Sequence, residues 1–101
     1  MEKGTAHYKL ARVKELLRAG RMRMTRAAFD GASGMGLSAP TVRQLLLQLD
    51  AGDFYKSMTT LEDHRVWQDV YKPVTRQGAL YIKLIKLTVI DDVLVVSFKH
   101  R

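Results

Sequence analysis

A chain of 101 residues, 47% apolar and 27% charged, can bury one hydrophobic core and has no room for a second domain. Seventeen Lys and Arg against ten Asp and Glu leave a net charge of +7 and a pI near 10.0, which favours a polyanionic partner without choosing among RNA, DNA and a membrane surface. The absence of cysteine excludes disulfides and thiolate metal sites. Met1 to His7 carry no apolar signal core and no run approaches the ~20 apolar residues that span a bilayer, so a cytoplasmic protein is expected.

Leu10, Val13, Leu16 and Leu17 recur at helical spacing between Thr5, a candidate N-cap, and Gly20, a candidate stop. Lys9, Arg12, Lys14 and Arg18 occupy the other faces, which predicts a basic amphipathic helix whose charged side is either solvated or laid on RNA phosphate. Arg21, Arg23 and Arg26 follow, then a short turn of helix at Ala27-Ala28-Phe29 capped by Thr25, and a mobile loop through Gly31, Gly34 and Gly36. Ser38 caps a third predicted helix with Pro40 in its first turn, where a missing N–H costs nothing; it runs through Val42, Leu45, Leu46 and Leu49 to a stop at Asp50-Ala51-Gly52.

From Asp53 onward β-branched and aromatic residues dominate. Strands are predicted at about Phe54 to Met58, Arg65 to Tyr71, Ala79 to Ile90 and Val93 to Lys99, with turns near Glu62-Asp63 and Arg76-Gln77-Gly78 and Asp91-Asp92 closing the last hairpin. Helices first and an antiparallel sheet second define an α+β class, with residues 1–101 forming one domain.

The P-loop, GxGxxG, HExxH and GxSxG patterns are absent. Asp63 and His64 are adjacent, so on a strand they point to opposite faces and do not make a ligand pair; no metal site is expected. The five methionines read as packing, while Trp67 and Tyr71, which share a strand face, are either core or base-stacking groups.

The run Asp53-Phe54-Tyr55-Lys56-Ser57-Met58-Thr59-Thr60, continuing through Asp63-His64 to Trp67-Gln68-Asp69-Val70-Tyr71, mixes cationic, amide and phenol groups with strand formers. Alternation puts Phe54, Lys56 and Met58 on one face and Val66, Gln68 and Val70 on another, so Lys56 and Gln68 converge if these strands pair. With Met1-Glu2-Lys3, the helix around Val13-Lys14, and the ending Val89-Ile90-Asp91-Asp92-Val93-Leu94 to Ser97-Phe98-Lys99, this run closely resembles the MqsR toxins, bacterial endoribonucleases of toxin–antitoxin operons.

The resemblance implies a RelE-like, microbial-RNase-like fold and ribosome-independent cutting of single-stranded mRNA at GCU-like triplets, leaving a 2′,3′-cyclic phosphate and a 5′-hydroxyl and arresting growth. It implies an MqsA-like antitoxin as partner, with zinc held by that partner, and no cofactor in this chain. Lys56, Gln68 and Tyr81 fall on the family's catalytic positions and Lys99 on its C-terminal functional lysine.

Metal-free cleavage needs a base for the 2′-hydroxyl, donors for the phosphorane oxygens and an acid for the departing 5′-oxygen. Lys56 is expected to stabilise the phosphorane, or to act as base if desolvation lowers its pKa; Gln68 to donate to a non-bridging oxygen; Tyr81 to assist proton transfer. Lys99, with Lys83 and Arg101, is expected to hold RNA phosphates. His7 and His64 are a second candidate acid–base pair.

One departure concerns the stretch Tyr81 to Thr88, about three residues longer than the family's usual one. Counted from an Asp91-Asp92 turn, Tyr81 falls on an apolar face with Ile85, Leu87, Val89, Leu94, Val96 and Phe98, opposite Lys86, Ser97 and Lys99. A β-bulge in this Tyr81 strand, restoring Tyr81 to the face of Lys99, is the expected resolution, against a widened turn or the loss of Tyr81's role. The rival class is a noncatalytic nucleic-acid-binding regulator; a weaker third is a module neutralising an acidic protein partner.

Overall fold

The computed structural model describes all of residues 1–101. In chain order the elements are β1 (Glu2–Lys3), α1 (Leu10–Arg18), β2 (Met22–Met24), α2 (Arg26–Gly34), α3 (Ala39–Leu47), β3 (Phe54–Thr59), β4 (Trp67–Tyr71), β5 (Val74–Thr75), β6 (Gly78–Lys86) and β7 (Val93–His100), with one turn of 3₁₀-helix at Ala51–Asp53 before β3. The sheet runs β1-β3-β4-β6-β7-β2, and β5 pairs with the start of β6.

Helices and strands are interleaved at the N-terminus rather than following in two blocks as the sequence predicts. β1 precedes α1 and pairs antiparallel with β3; β2 lies between α1 and α2 and pairs parallel with β7, so the sheet is mixed. Segments of two and three residues are too short to display an alternation, which is why Glu2–Lys3 and Met22–Met24 do not read as strands. β2 is locked by charge as well as by backbone: Asp92, immediately before β7, accepts from Arg21 Nε at 2.6 Å and from Arg23 Nε at 2.8 Å.

The local signals hold for α2 and α3. Thr25 and Ser38 accept from the backbone N–H groups of Ala28 and Thr41, and Pro40 lies in the first turn of α3. α1 begins at Leu10 rather than near Thr5, because the N–H groups of His7 and Tyr8 are held by the buried carboxylate of Asp69 at 3.0 and 2.9 Å, keeping that arm out of the helix. α2 continues through Gly31, where the sequence suggests a mobile loop. A Cβ at Gly31 would overlap the Phe98 carbonyl oxygen, so glycine there allows α2 to lie against β7 on a face of Ala28 and Ala32.

All three helices cover one face of the sheet. Val13, Leu16 and Leu17 of α1, Ala28 and Ala32 of α2, and Val42 and Leu46 of α3 form one cluster with Tyr71, Leu80, Ile82, Leu84, Val93, Val95 and Phe98. The opposite face carries no helix.

Two one-residue irregularities decide what that open face displays. In β3 the register shifts between Phe54 and Lys56: Phe54 pairs with Tyr71 and packs on the core, while Lys56 pairs with Val70. The sequence reading that put Phe54 and Lys56 on one face is therefore corrected, since the extra residue Tyr55 separates them. In the β6–β7 hairpin the register shifts beyond Lys83, so Lys83 opposes Ser97 while Leu84 opposes Val95, leaving Val96 as the extra residue.

The last turn is also wider than Asp91-Asp92: β6 ends at Lys86, β7 starts at Val93, and the connection is Leu87 to Asp92. The four added residues, Leu87 to Ile90, all lie on the β6 side, and an even number leaves the parity of the pairing unchanged. The bulge lies at Val96 on β7 and not, as expected, in the strand of Tyr81; it sends Phe98 into the core and turns Ser97 and Lys99 to the face of Tyr81.

Candidate active site on the open sheet face

Opposed residues of antiparallel strands point to the same side, so the register defines rows of side chains across the open face. One row is Glu2, Met58 and Gln68, contributed by β1, β3 and β4. The next is Lys56, Val70, Lys83 and Ser97, contributed by β3, β4, β6 and β7. A third holds Tyr81 opposite Lys99. Val70 is fully buried yet lies outside the apolar core cluster, as expected for a small residue roofed by the long side chains beside it.

The open face is thus where Lys56, Gln68, Tyr81, Lys83 and Lys99 come together. The ring of Tyr81 is surrounded by ammonium groups, with Lys99 Nζ at 5.3 Å, Lys83 Nζ at 5.8 Å and Lys72 Nζ at 6.0 Å from its centroid. Lys72 also lies 3.6 Å over the ring of Tyr55. Gln68 is buried; its backbone carbonyl accepts from the Ser57 hydroxyl, and its side-chain amide faces Met58 and the open side.

Lys56 does not have the environment of a base. Its ammonium donates to Glu2 Oε2 at 2.7 Å, and that bond raises its pKa against the opposing pull of burial. Glu2 is held below the usual carboxylate range by the same bond and the charge of Lys56. In this structure the ion pair with Glu2 therefore favours the cationic form of Lys56.

Arg101 stands apart from the cluster. Its guanidinium donates to the backbone carbonyls of Leu80 at 3.3 Å and Lys72 at 2.7 Å, binding the chain end to the sheet instead of projecting over the open face. His7 is stacked on Trp67 on the covered side, with ring centroids 5.4 Å apart and planes 15° from parallel, and burial lowers its pKa. His64 lies in the β3–β4 connection, so the two histidines do not form a pair on this face. Trp67 and Tyr71 both face the covered side, Tyr71 in the core against Phe54 and Trp67 beneath His7 and the Lys3 ammonium. No group of three His, Asp or Glu side chains converges in a way that would hold a metal ion.

Residues 5–100 match the family model described as motility quorum-sensing regulator, toxin of MqsA. The chain belongs to this toxin family. The mRNA interferase toxin MqsR of Escherichia coli (strain K12) is 48% identical over 101 residues, covering all of both chains. Sequence reasoning singled out Lys56, Gln68, Tyr81 and Lys99, which lie on this face, but assigned nothing to Glu2, Lys72 or Tyr55, which stand beside them. For Lys72 a signal was available: continuing the alternation of Gln68 and Val70 by one step gives it. Glu2 had none, because its place depends on a two-residue strand at the sheet edge.

Proposed function

We propose that this chain is the toxin of a toxin–antitoxin pair, an mRNA interferase of RelE-like, microbial-RNase-like kind that cuts single-stranded mRNA at GCU-like triplets in the cytoplasm, without a metal ion and without the ribosome, and so arrests growth. The observation that carries this reading is the convergence of Lys56, Gln68, Tyr81, Lys83 and Lys99 on one helix-free face of the sheet in a member of this toxin family.

The arrangement suits a reaction in which the substrate supplies its own nucleophile. A scissile phosphate above Val70 lies between Lys56 and Lys83, which are two strand spacings or about 10 Å apart at the backbone, a gap that two lysine side chains close. Lys56 and the Gln68 amide then neutralise and donate to the non-bridging oxygens as charge develops, and the Tyr81 phenol protonates the departing 5′-oxygen. Lys83, Lys99 and Lys72 hold flanking phosphates and keep water-exposed RNA in register. An MqsA-like antitoxin that carries its own zinc is the proposed partner.

The test is incubation of the purified chain, in excess EDTA, with a single-stranded RNA containing GCU and with the same RNA carrying a 2′-deoxy sugar at the cut. Cleavage of the first alone is expected. Cleavage of neither by folded protein that still binds RNA, with a random-sequence pool also left intact, would overturn the enzyme reading in favour of a binding regulator.

A further inference from the structure

The open face collects cations and neutral donors, and general acid–base chemistry on a 2′-hydroxyl still needs a group that is free of its proton at neutral pH. None of the residues matched to the family's catalytic positions supplies one. Lys56 is held as a cation, an amide such as Gln68 is no base, and Tyr81 is the proton donor in the proposed step.

Glu2 is the carboxylate on this face. It stands in the row with Met58 and Gln68, at the edge of the Lys56 row, with its side chain about half exposed. The other carboxylates of the sheet are answered elsewhere: Asp69 by the His7 and Tyr8 N–H groups, Asp92 by Arg21 and Arg23, Asp91 by Lys86, Asp63 by Arg65. The groups that face Glu2 are Lys56 from β3 and the N-terminal ammonium, which donates to Thr59 Oγ1 at 3.2 Å; β1 pairs with no strand but β3.

We infer that Glu2 is a catalytic residue, the general base that takes the proton of the attacking 2′-hydroxyl, and that its ion pair with Lys56 is exchanged for contacts to RNA when substrate binds. The inference rests on the endoribonuclease reading above. In the step, the 2′-oxygen forms its bond to phosphorus as its proton passes to a Glu2 carboxylate oxygen; the bond from phosphorus to the 5′-oxygen breaks, and the 5′-oxygen takes the phenol proton of Tyr81. The products are a 2′,3′-cyclic phosphate and a 5′-hydroxyl, and solvent returns the phenol proton and removes the carboxyl proton.

Two features of the geometry fit this division. Glu2 on β1 and Tyr81 on β6 lie at opposite sides of the Lys56–Val70–Lys83 row, as an in-line displacement requires of its base and acid. The Glu2–Lys56 bond also makes proton affinity depend on substrate: when Lys56 turns to a phosphate oxygen, Glu2 loses the partner that depresses its basicity, beside the hydroxyl to be deprotonated.

The test compares the unsubstituted chain with Glu2→Gln and Glu2→Asp on a GCU-containing RNA under single-turnover conditions from pH 4 to 9. Affinity is read in parallel on the uncleavable 2′-deoxy RNA, and folding by thermal melting. Glu2→Gln should lose about 10²- to 10³-fold in rate, lose the acidic limb of the pH profile, and bind the 2′-deoxy RNA as tightly as the unsubstituted chain or more tightly; Glu2→Asp should retain part of the rate and the limb. A Glu2→Gln rate within threefold of the unsubstituted chain, with the limb intact, overturns the assignment and leaves Glu2 a counter-ion. So does a loss matched by an equal loss in 2′-deoxy RNA binding, which marks a structural role. If the unsubstituted chain cuts no RNA, the endoribonuclease reading fails, a result distinct from a normal rate in Glu2→Gln.

Discussion

Lys56 shows how one contact fixes a residue's chemical role. Its ammonium donates to Glu2, which favours the charged form, and the role proposed for it is accordingly electrostatic. Replacing it by arginine, which keeps the charge and cannot deprotonate, is expected to retain cleavage within about tenfold, whereas alanine should lose about 10²- to 10³-fold in single-turnover rate. Equal inactivity of the two variants would instead mark a lysine that must give up its proton. Asp92 is the counterpart on the structural side, with a pKa held below the usual carboxylate range by its bonds to Arg21 and Arg23. A carboxylate depressed in the folded state adds stability above its unfolded pKa and loses it as the pH falls through the folded value. The melting temperature of Asp92→Asn should therefore lie below that of the unsubstituted chain at pH 7 and approach it below about pH 4; a gap that is constant with pH would show that packing, and not charge, joins β2 to β7.

At the scale of the element, the two bulges explain both what the sequence disclosed and what it withheld. Caps at Thr25 and Ser38 and the apolar stripe of α1 have residue signatures, and the structure has helices there. A bulge has none here: Tyr55 and Val96 are ordinary strand residues, and only the partner strand reveals that each is unpaired. Strand positions were thus legible while the face of Lys56 relative to Phe54, and of Lys99 relative to Leu94, was not. The grouping of Lys56, Gln68, Tyr81 and Lys99 as a candidate site came from family resemblance, and the place of Glu2 waited on strand pairing. The connection from Leu87 to Asp92 lies outside the paired register, and Val89 there is almost fully exposed. Deleting Thr88 to Ile90 leaves Leu87-Asp91-Asp92 to join Lys86 to Val93, a length that hairpins commonly use. Such a deletion should preserve the RNA cleavage rate within about threefold, since loop tips tolerate change when their backbone is exposed. A loss above about a hundredfold would show that the longer connection takes part in positioning Tyr81.

For the whole molecule, net charge matters less than its division between two faces. Lys56, Lys72, Lys83 and Lys99 stand on the open side of the sheet, whereas Arg12, Lys14 and Arg18, with Lys9 at the N-cap, belong to the helix packed on the covered side, where Arg12 is partly paired with Glu15. A folded single strand of RNA crossing the open face meets the first group and not the second. Each phosphate neutralised on a single strand contributes about −0.7 to the slope of log affinity against log salt, so engagement of the open-face lysines predicts a slope of about −3 for binding of an uncleavable 2′-deoxy RNA. Lys83→Ala combined with Lys99→Ala should make that slope shallower by about 1.4 units, while Lys9→Ala combined with Arg18→Ala should leave it within the error of measurement. The reverse pattern, with the helix variants flattening the slope, would put the RNA on the covered side and remove the open face from substrate binding. Because both double variants reduce the net charge by the same amount, a nonspecific dependence on total charge would flatten both slopes equally, which separates a positioned strand from a diffuse attraction.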